Sequence, residues 1–573
     1  DGMLIKAKNS ENLLEFTRDR KTGQIIEEKQ GEYIVNRTYD SEGNCTRITS
    51  SLGADIRHTY DHEGNLQTMQ AGESWQASWV RDNTGLEVQR TFSGGVTVRT
   101  ERDCFGREIR KTVRSGNRET GAYHYQWGIA NRLLSKENEL TGTVTRYDYD
   151  RFDFLIRQET IQGSETDVIY RVPDFVGNLF ETPDKKDRKY GAGGKLLEDP
   201  NYFYHYDDEG NLIFREFKQL QETGVKFDRK RMEKERGIHF LATGTGWLYE
   251  WSSNGMLKKV IRPDGRPVEF RYDALGRRTA KQYFGKVTRW VWDGNVPIHE
   301  WGYKVTDMQP NEEKSAPLKE PTKDITTWVF ETGTFVPTAK IQDGKQYSIV
   351  SDYLGTPIQM YDEQGKKTWE CTLDVYGKAT TFEGRSLSDC PFRFQGQYED
   401  EETGLYYNRF RYYDNNIGSF ISQDPIRLLG GKCLYNYVCN INSQIDIYGL
   451  LKKGEQPIQP YEVTTYNEFR RKSVKGDGLE GHELLQNIVL EKEGLASTRF
   501  STDASKNNPV IALPESIHTE VSAKQIALDT KNMSPMDNIK TNAQILRDAG
   551  VPLDIVDNLE NKAIAHAKNN GLH

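Results

Sequence analysis

Apolar and polar positions alternate in short runs along most of the chain, and Gly-containing polar turns separate the runs. His-Thr-Tyr at His58 and Glu-Phe-Arg-Tyr at Glu269 are two examples, and a period of two is typical of strands with one buried face. Many runs end in turns such as Tyr-Asp-His-Glu-Gly-Asn-Leu at Tyr60, where Asp and Asn accept local hydrogen bonds and Gly supplies a positive φ. The pattern predicts a mainly β fold built of hairpins.

The turn belongs to an irregular internal repeat. Related copies begin at Tyr39, Tyr60, Tyr206 and Tyr272, and degenerate copies begin at Arg102 and Pro173. A spacing of about 20 residues suits one hairpin per copy, stacked sideways into one long sheet. Such a sheet has few edges if it curls into a spiral shell. The pattern alone also allows a β-propeller or a solenoid that encloses nothing.

Two polar stretches interrupt the repeats. Residues 218–236 end in Lys-Phe-Asp-Arg-Lys-Arg-Met-Glu-Lys-Glu-Arg, which predicts a short charged helix, and residues 305–324 contain three prolines and alternating charges, which predicts an exposed loop. The six cysteines are scattered and form no Cys-x-x-Cys pair, so we expect reduced thiols.

Residues 391–450 mark a change in the character of the chain. The segment contains Gly-Leu-Tyr-Tyr-Asn-Arg-Phe-Arg-Tyr-Tyr-Asp and ends in Ile-Asp-Ile-Tyr-Gly-Leu. It resembles the core segment of Rhs proteins, the YD-repeat family that builds hollow β-shells and carries a variable toxin after this segment. The resemblance implies a spiral β-shell at 1–390, closed by an Rhs core plug at 391–450.

The same resemblance implies self-cleavage. Rhs proteins and the similar C component of insecticidal toxin complexes cut themselves after an Asp-Pro-x-Gly-Leu motif, using an upstream Arg and two aspartates. Arg411, Asp424 and Asp446 stand at the matching positions, and scission is expected between Leu450 and Leu451. Two carboxyl groups held close together cannot both ionise, so one can act as acid and the other as base.

This sequence departs from the family pattern at three positions. Arg427 stands where the family usually has Gly, Ile441 where Asn-Pro is usual, and Ile447 replaces the Pro of Asp-Pro. Asp446, Gly449 and Leu450 match the pattern, and we therefore expect self-cleavage. In the alternative interpretation, these aspartates only cap turns in the plug.

A small mixed unit with helical periodicity follows, with a linker or the start of the unit at 451–475 and its main domain at 476–573. Its two motifs are Gly-Leu-Glu-Gly-His-Glu at Gly478 and Asn-Asn-Pro-Val-Ile-Ala-Leu-Pro-Glu-Ser-Ile-His at Asn507. Pro-Val-Ile-Ala-Leu predicts a strand, and the residues that follow predict a helix carrying His518. Two amphipathic helices separated at Gly-Val-Pro are predicted at the end of the chain.

The two motifs resemble the GH-E group of the HNH/endonuclease VII nuclease superfamily, in which a hairpin and a helix hold one divalent metal. The resemblance implies His482 as general base, Glu483 as metal ligand or orienting residue, Asn508 as the residue that fixes the loop, and His518 as metal ligand. Mg²⁺ or Mn²⁺ is the expected metal, with Zn²⁺ possible, and DNA is the expected substrate. His566 and His573 lie outside the motifs, and we interpret them as structural or terminal.

Charge and hydropathy limit these expectations. The net charge is −8, and from Leu451 onward 15 Lys and Arg stand against 17 Asp and Glu, which is poor for neutralising phosphates unless Arg470 and its neighbours form a local basic patch. No apolar run could span a membrane, and the first residues lack a signal-peptide core. We therefore expect synthesis in a bacterial cytoplasm, export without a signal peptide, and action in the cytoplasm of a target cell.

The interpretation that follows is a secreted interbacterial effector. Its β-shell encloses a self-cleaved toxin that acts as a metal-dependent DNA endonuclease, and its partners are a cognate immunity protein and secretion-apparatus or chaperone proteins. Two alternatives stay open: a toxin of different chemistry, or a structural or adhesive YD-repeat protein whose tail binds without catalysis. Against a deaminase, the chain lacks a His-x-Glu plus Cys-x-x-Cys set.

Overall fold

The computed structural model describes residues 3–309, 318–427, 433–450, 461–472, 479–496, 502–528 and 530–572. The chain divides into two compact units, one comprising Asp1–Glu101 and Glu108–Lys453, the other Arg102–Arg107 and Gly454–His573. Antiparallel strands dominate the described residues, as the alternation predicts.

The first sheet has sixteen strands that pair in chain order. Its strands are β1 (Lys6–Lys8), β2 (Leu13–Arg18), β3 (Ile25–Gln30), β4 (Tyr33–Tyr39), β5 (Cys45–Ser50), β6 (Asp55–Tyr60), β7 (Leu66–Ala71), β8 (Trp75–Arg81), β9 (Glu87–Phe92), β10 (Val96–Arg102), β11 (Glu108–Ser115), β12 (Arg118–Trp127), β13 (Leu133–Asn138), β14 (Thr143–Tyr149), β15 (Leu155–Gln162) and β16 (Glu165–Tyr170). A minimal pair, β17 (Val172–Pro173) and β18 (Leu179–Phe180), follows it.

The second large sheet also has sixteen strands in chain order. Its strands are β19 (Lys189–Tyr190), β20 (Leu196–Glu198), β21 (Tyr202–Tyr206), β22 (Leu212–Phe217), β23 (Gly246–Trp251), β24 (Leu257–Ile261), β25 (Pro267–Tyr272), β26 (Arg278–Tyr283), β27 (Lys286–Asp293), β28 (Val296–Lys304), β29 (Thr326–Phe330), β30 (Pro337–Gln342), β31 (Lys345–Ser351), β32 (Pro357–Tyr361), β33 (Lys367–Leu373) and β34 (Ala379–Gly384). The charged insertion before β23 contains the predicted helix, α1 (Arg229–Arg236).

The Tyr-Asp repeat forms the turns of these hairpins. At Tyr60, the Asp61 carboxylate accepts the backbone N–H groups of Glu63 and Asn65 at 3.0 and 2.9 Å, and Gly64 has a φ of 83°. The Tyr60 hydroxyl donates to the carbonyl of Cys45 on the preceding hairpin at 2.7 Å. Each copy therefore closes its own turn through Asp and Gly and ties itself to its neighbour through Tyr.

The prediction of one continuous sheet is wrong, because the ladder breaks between β16 and β19. The degenerate copy at Pro173 is followed by Thr-Pro-Asp-Lys-Lys-Asp, which has no alternation to continue the strand pairing. Arg171 and Arg188, which flank the break, are buried and donate to main-chain carbonyls of residues 417, 438 and 439. The chain leaves the sheet at this point to contact the plug, which is residues 391–450.

The largest apolar core of the first unit combines side chains of both sixteen-stranded sheets. Trp75 of β8 exposes 1% of its surface and donates its indole N–H to Ser348 Oγ of β31 at 3.0 Å. Thr120 Oγ1 and the Tyr361 hydroxyl lie 2.7 Å apart across the same contact. The alternation along each strand thus buries one face of both sheets in a shared core.

The plug contains a four-stranded antiparallel sheet, β35 (Tyr398–Asp400), β36 (Leu405–Asn408), β37 (Arg411–Asp414) and β38 (Ser419–Phe420). Its aromatic residues join two apolar clusters, one with the second sheet and one with the end of the first. Asp400 accepts hydrogen bonds from Arg278 and, at 3.0 Å, from Lys281 of the second sheet. The plug is therefore built into the first unit by both apolar packing and buried ion pairs.

The tail, residues 451–573, has a three-stranded sheet in the order β39 (Val463–Thr465), β41 (Pro509–Pro514), β40 (Leu479–Glu483). Its helices are α2 (Tyr466–Lys472), α3 (Asn487–Lys492), α4 (Asp503–Lys506), α5 (Glu515–Ile526), α6 (Pro535–Asp548) and α7 (Leu553–Asn569). Strand β41, helix α5 and the final helix pair confirm the predictions for the tail, which has its own apolar core.

Among the residues that the structure describes, no helix is both long and apolar enough to cross a bilayer. All six cysteines are described, and none of them forms a disulfide bond. Part of the predicted loop at 305–324 lies outside the described residues.

Candidate functional site

A tight hairpin presents the first group of candidate residues. Strands β36 and β37 are joined by Arg409 and Phe410, and Arg409 has a φ of 59°. Asn408 and Arg411 are cross-strand partners on either side of this turn. Because directly opposite residues of an antiparallel pair stand close together, the hairpin tip carries both side chains to one place.

The hairpin tip holds the last described residues of the plug. Asn408 Nδ2 donates to the carbonyl of Asp446 at 2.7 Å, and the backbone N–H of Phe410 donates to the carbonyl of Tyr448 at 3.3 Å. Arg411 Nε donates to the carbonyl of Gly449. Three contacts thus fix the course of the chain just before Leu450.

Arg411 brings together the two aspartates that the sequence predicts. Its Nη2 lies 3.1 Å from Asp424 Oδ2 and 3.4 Å from Asp446 Oδ2, and its guanidinium stacks 3.7 Å from the centroid of the Phe420 ring. Arg411 exposes 2%, Asp424 4% and Asp446 1% of their surfaces. A cation shared by two carboxyl groups in a site without bulk water is the arrangement that the self-cleavage motif predicts.

Burial shifts the acid–base properties of this group. Burial is the largest effect on Asp424 and raises its pKa above the usual value, against the opposing attraction of Arg411. Burial likewise lowers the pKa of Arg411, although both aspartates oppose this shift. A raised pKa favours the protonated form of the Asp424 carboxyl group.

Asp446 and Gly449 set the position of Leu450. Asp446 Oδ1 accepts the backbone N–H of Leu450 at 2.9 Å. Gly449 has a φ of 67°, and a Cβ placed there would lie 2.8 Å from the carbonyl oxygen of Asn408 and 3.2 Å from Arg411 Cβ. Only glycine allows this approach to the hairpin without strain. Leu451, the other half of the expected scission bond, lies outside the described residues.

Two of the three departures from the family pattern have a visible structural setting. Arg427, which replaces a Gly, has a φ of 53° and donates its N–H to the carbonyl of Asp424 at 2.8 Å. A Cβ at Gly396 would lie 2.3 Å from the carbonyl oxygen of Ile447, so the backbone at the lost Pro packs tightly against the plug. The turn after Asp424 therefore keeps the conformation for which Gly is suited, at the cost of a left-handed Arg.

The second group of candidate residues lies in the tail. His482 on β40 pairs across the sheet with Ile511 of β41, and α5 follows β41 directly. The imidazole centroids of His482 and His518 on α5 are 5.5 Å apart. The structure therefore brings together the two histidines of the predicted nuclease motifs on an antiparallel strand pair and the helix that follows it.

A chain of amides determines which nitrogen of His482 carries the proton. Asn542 Nδ2 donates to the carbonyl of Leu484 at 2.8 Å, so Asn542 Oδ1 is left to accept from Gln525 Nε2 at 2.8 Å. Gln525 Nε2 also lies 2.8 Å from His482 Nε2, which must then act as acceptor. The neutral His482 ring consequently has its proton on Nδ1.

Glu483 and Asn508 form a separate pair. Asn508 Nδ2 lies 3.4 Å from Glu483 Oε2 and donates to the carbonyl of Leu485 at 2.7 Å. Successive side chains of a strand point to opposite faces, so Glu483 points away from the face on which His482 meets α5. Glu483 and His518, the two predicted metal ligands, therefore lie on opposite sides of β40: Glu483 on one face, and His518 on α5, which packs on the other.

The predicted metal ligands of the tail lie among residues that the structure describes. Within the described part of the chain, no group of three or more His, Cys, Asp or Glu side chains is placed to hold a metal ion. His518 has N donors and Glu483 has O donors of the right chemical kind, but strand alternation separates them. Outside the motifs, His566 Nε2 lies 2.9 Å from the carbonyl oxygen of Ala504. His573 lies outside the described residues.

Sequence reasoning missed several residues of these sites. Asn408, three positions before Arg411 in the same motif, was not singled out, although a polar residue at the end of a Tyr-Tyr strand was a signal. Gln525 and Asn542 lie far from both tail motifs in the sequence, and only the packing of α5 and α6 reveals them.

Sheets of Tyr-Asp hairpins joined to a small plug sheet define a YD-repeat shell protein. The Teneurin YD-shell family model matches residues 96–429, which is more than half of the chain. The chain belongs to this family.

Among the similar proteins, two are toxins by name and one is named a probable deoxyribonuclease. The chain is 28% identical over 479 residues to double-stranded DNA deaminase toxin A of Burkholderia cenocepacia (strain H111), which covers 79% of this chain and 31% of that protein. It is 27% identical over 434 residues to the probable deoxyribonuclease RhsB of Dickeya dadantii (strain 3937), covering 73% and 27%. It is 27% identical over 488 residues to toxin protein Tse5 of Pseudomonas aeruginosa, and this match covers 75% of this chain and 36% of that protein. The chain thus spans about a third or less of each relative.

Solved structures of Tc toxins are also similar. The Photorhabdus luminescens Tc holotoxin pore with a TccC3-D651A mutation matches with a TM-score of 0.35 and 16% identity, covering 79% of this chain and 28% of that chain. The crystal structure of TcdB2-TccC3 matches with a TM-score of 0.36 and 16% identity, covering 78% and 29%.

Proposed function

We propose that this chain is the shell, plug and toxin region of an Rhs-type interbacterial toxin, and that it cuts itself after Leu450. The observation that carries the proposal is the buried group of Arg411, Asp424 and Asp446 beside the chain leading to Leu450. The names of the similar proteins support a toxin, and the shell would keep it from the cell that makes it.

The proposed step is hydrolysis of the Leu450–Leu451 peptide bond. Asp446 takes a proton from water, whose oxygen bonds to the Leu450 carbonyl carbon, and protonated Asp424 gives a proton to the departing Leu451 nitrogen. The products are a carboxyl group on Leu450 and an amine on Leu451, so one water is consumed. Arg411 orients both carboxyl groups and, through the Gly449 carbonyl, the adjoining peptide.

The test is a comparison of the purified chain with Asp446→Asn and Asp424→Asn on a denaturing gel. We expect two bands from wild type and one from each variant, because each substitution removes an acid–base group while preserving size. Asp414→Asn is a matched control, since Asp414 is a buried plug aspartate that pairs with Arg215 instead. A wild-type chain that stays intact, or an Asp446→Asn chain that is cut equally well, rejects the proposal.

For the tail, we propose hydrolysis of DNA. The proposal is supported by the strand pair and helix that carry His482 and His518, and by a protein named a probable deoxyribonuclease among the similar proteins. The Nε2 lone pair of His482 is the basic atom, and Gln525 must give up its hydrogen bond before His482 can accept a proton from water. A divalent cation, Mg²⁺ or Mn²⁺, would neutralise charge on the phosphate. Among the described residues, no group of three or more His, Cys, Asp or Glu side chains is placed to hold it.

Plasmid degradation by the tail, residues 451–573, tests this second proposal. We expect His482→Ala to abolish degradation and His566→Ala, a histidine outside the motif, to leave it unchanged. A chelator should stop the wild-type reaction, and added Mg²⁺ or Mn²⁺ should restore it. If His482→Ala cuts as well as wild type, the tail has a different chemistry, such as the deaminase activity named for one relative.

Protection by a neighbouring immunity protein and delivery by secretion or chaperone proteins are further parts of the proposal.

A further inference from the structure

We infer that Asn408 is a positioning residue for self-cleavage: its side-chain N–H holds the main-chain carbonyl of Asp446, and so orients the Asp446 carboxyl group. The inference rests on the proposed cleavage after Leu450. Asn408 acts through the main chain of Asp446, whose carbonyl group accepts the hydrogen bond from its side-chain amide.

The bonding of Asn408 is unusual for a residue that only fills space. The residue is fully buried, and its Nδ2 donates to the Asp446 carbonyl at 2.7 Å. Its Oδ1 is buried and has no hydrogen-bond partner among the residues that the structure describes. Leaving a buried polar atom without a hydrogen-bond partner destabilises the folded chain. An apolar residue of similar size would avoid this cost, so stability alone does not account for an amide at this position.

The contact made by Asn408 acts together with a second hydrogen bond on the main chain of Asp446. The Asp446 N–H donates to the Tyr437 hydroxyl at 3.4 Å, while Asn408 holds the carbonyl. These two hydrogen bonds hold the peptide planes on either side of the Asp446 Cα. The Asp446 carboxyl group can then contact the Leu450 N–H through Oδ1, at 2.9 Å, and Arg411 Nη2 through Oδ2, at 3.4 Å. Releasing one plane lets this carboxyl group turn, and misplacement by about 1 Å can slow a reaction about 100-fold.

Three substitutions separate the donated hydrogen bond from packing. Asn408→Asp keeps the shape of the side chain, but its ionised form has no hydrogen to donate and repels the Asp446 carbonyl, whereas its protonated form can donate again. Asn408→Ala has no donor at any pH. Asn408→Ser adds a small donor to the alanine variant with little change in size. Hydrogen bonding therefore predicts a pH-dependent rescue that a purely structural role would not produce.

The experiment measures the cleavage rate of the full-length variants. Each is purified intact at about pH 9 and transferred to buffers down to about pH 5, a range that includes the titration of a buried carboxyl group. The rate of Asn408→Asp is divided by that of Asn408→Ala at each pH, which removes the pH dependence that both share through Asp424. Thermal unfolding identifies any variant that does not fold, and Asn408→Ser replaces the aspartate variant in that case.

We expect Asn408→Ala to be cleaved about 100-fold more slowly than wild type. The Asp to Ala ratio should rise as the pH falls, and Asn408→Ser should be faster than Asn408→Ala. Cleavage of a folded Asn408→Ala at the wild-type rate, a flat ratio, or equal rates for Ser and Ala overturns the role of Asn408 while leaving self-cleavage in place. A wild-type chain that never cuts removes the self-cleavage itself, and this inference with it.

Discussion

Gly449→Ala should slow self-cleavage because it pushes the scission segment away from the hairpin tip. Gly449 has a φ of 67°, and the added Cβ would lie 2.8 Å from the carbonyl oxygen of Asn408 and 3.2 Å from Arg411 Cβ. The first distance is shorter than any ordinary carbon–oxygen contact, so backbone must move. The residues that would move are those that hold Asp446 and Gly449.

Gly404 provides a matched control in the same plug. It has a φ of 69°, and a Cβ placed there meets nothing within 4 Å. In both variants, alanine in the left-handed conformation destabilises the folded chain by about 1–2 kcal/mol. Only Gly449→Ala is also destabilised by overpacking, by about 1–3 kcal/mol. The difference between the two variants therefore isolates the contact with the hairpin.

The assay combines thermal unfolding with the fraction of chain cut after purification. We expect Gly404→Ala to be slightly less stable and cut as wild type, and Gly449→Ala to be cut at least about tenfold more slowly, which corresponds to about 1.4 kcal/mol of lost transition-state positioning. If a folded Gly449→Ala is cut as fast as Gly404→Ala, the approach of Gly449 to the hairpin has no part in the reaction.

Three further predictions concern titratable groups. Because burial raises the pKa of Asp424 and its protonated form is the proton donor, cleavage by slow variants such as Gly449→Ala should fall as pH rises through that pKa, and a rate that rises instead contradicts the assignment. Burial lowers the pKa of His299 from 6.5 to about 4. The contribution of neutral His299 to the free energy of unfolding should therefore be fully present above about pH 6.5 and be lost as the pH falls towards 4, a decrease of about 3 kcal/mol at about 1.4 kcal/mol per pKa unit. In denaturant titrations, His299→Asn should lack this decrease. Nitrogen NMR of the tail should show the proton of neutral His482 on Nδ1, and Gln525→Leu should remove that preference; a proton on Nε2 in wild type contradicts the amide chain.

The regular parts of the fold could be predicted because the signal is local. The turn at Tyr60 contains every atom that closes it, so the repeat predicts hairpins without any knowledge of tertiary structure. The division into two sheets could not be predicted in the same way. It depends on Arg171 and Arg188 donating to plug carbonyls more than 200 positions away in the sequence.

The candidate sites show the same contrast. A motif resemblance was enough to select Arg411, Asp424 and Asp446, and the structure brings them together. For Glu483, the resemblance gave the residue but not the face of the strand, and alternation turns it away from His482 and α5. Gln525 could not be found, since its importance arises only where α5 packs over β40.

Intact-mass measurement of the purified wild-type chain tests the central claim most directly. Self-cleavage at the plug predicts two polypeptides, one ending at Leu450 and one beginning at Leu451, whose masses sum to that of the 65.9 kDa chain plus one water. If the reaction is run in ¹⁸O-labelled water, the label should appear in the new carboxyl group of Leu450. A single species of 65.9 kDa, or fragments that meet at any other bond, would contradict the account.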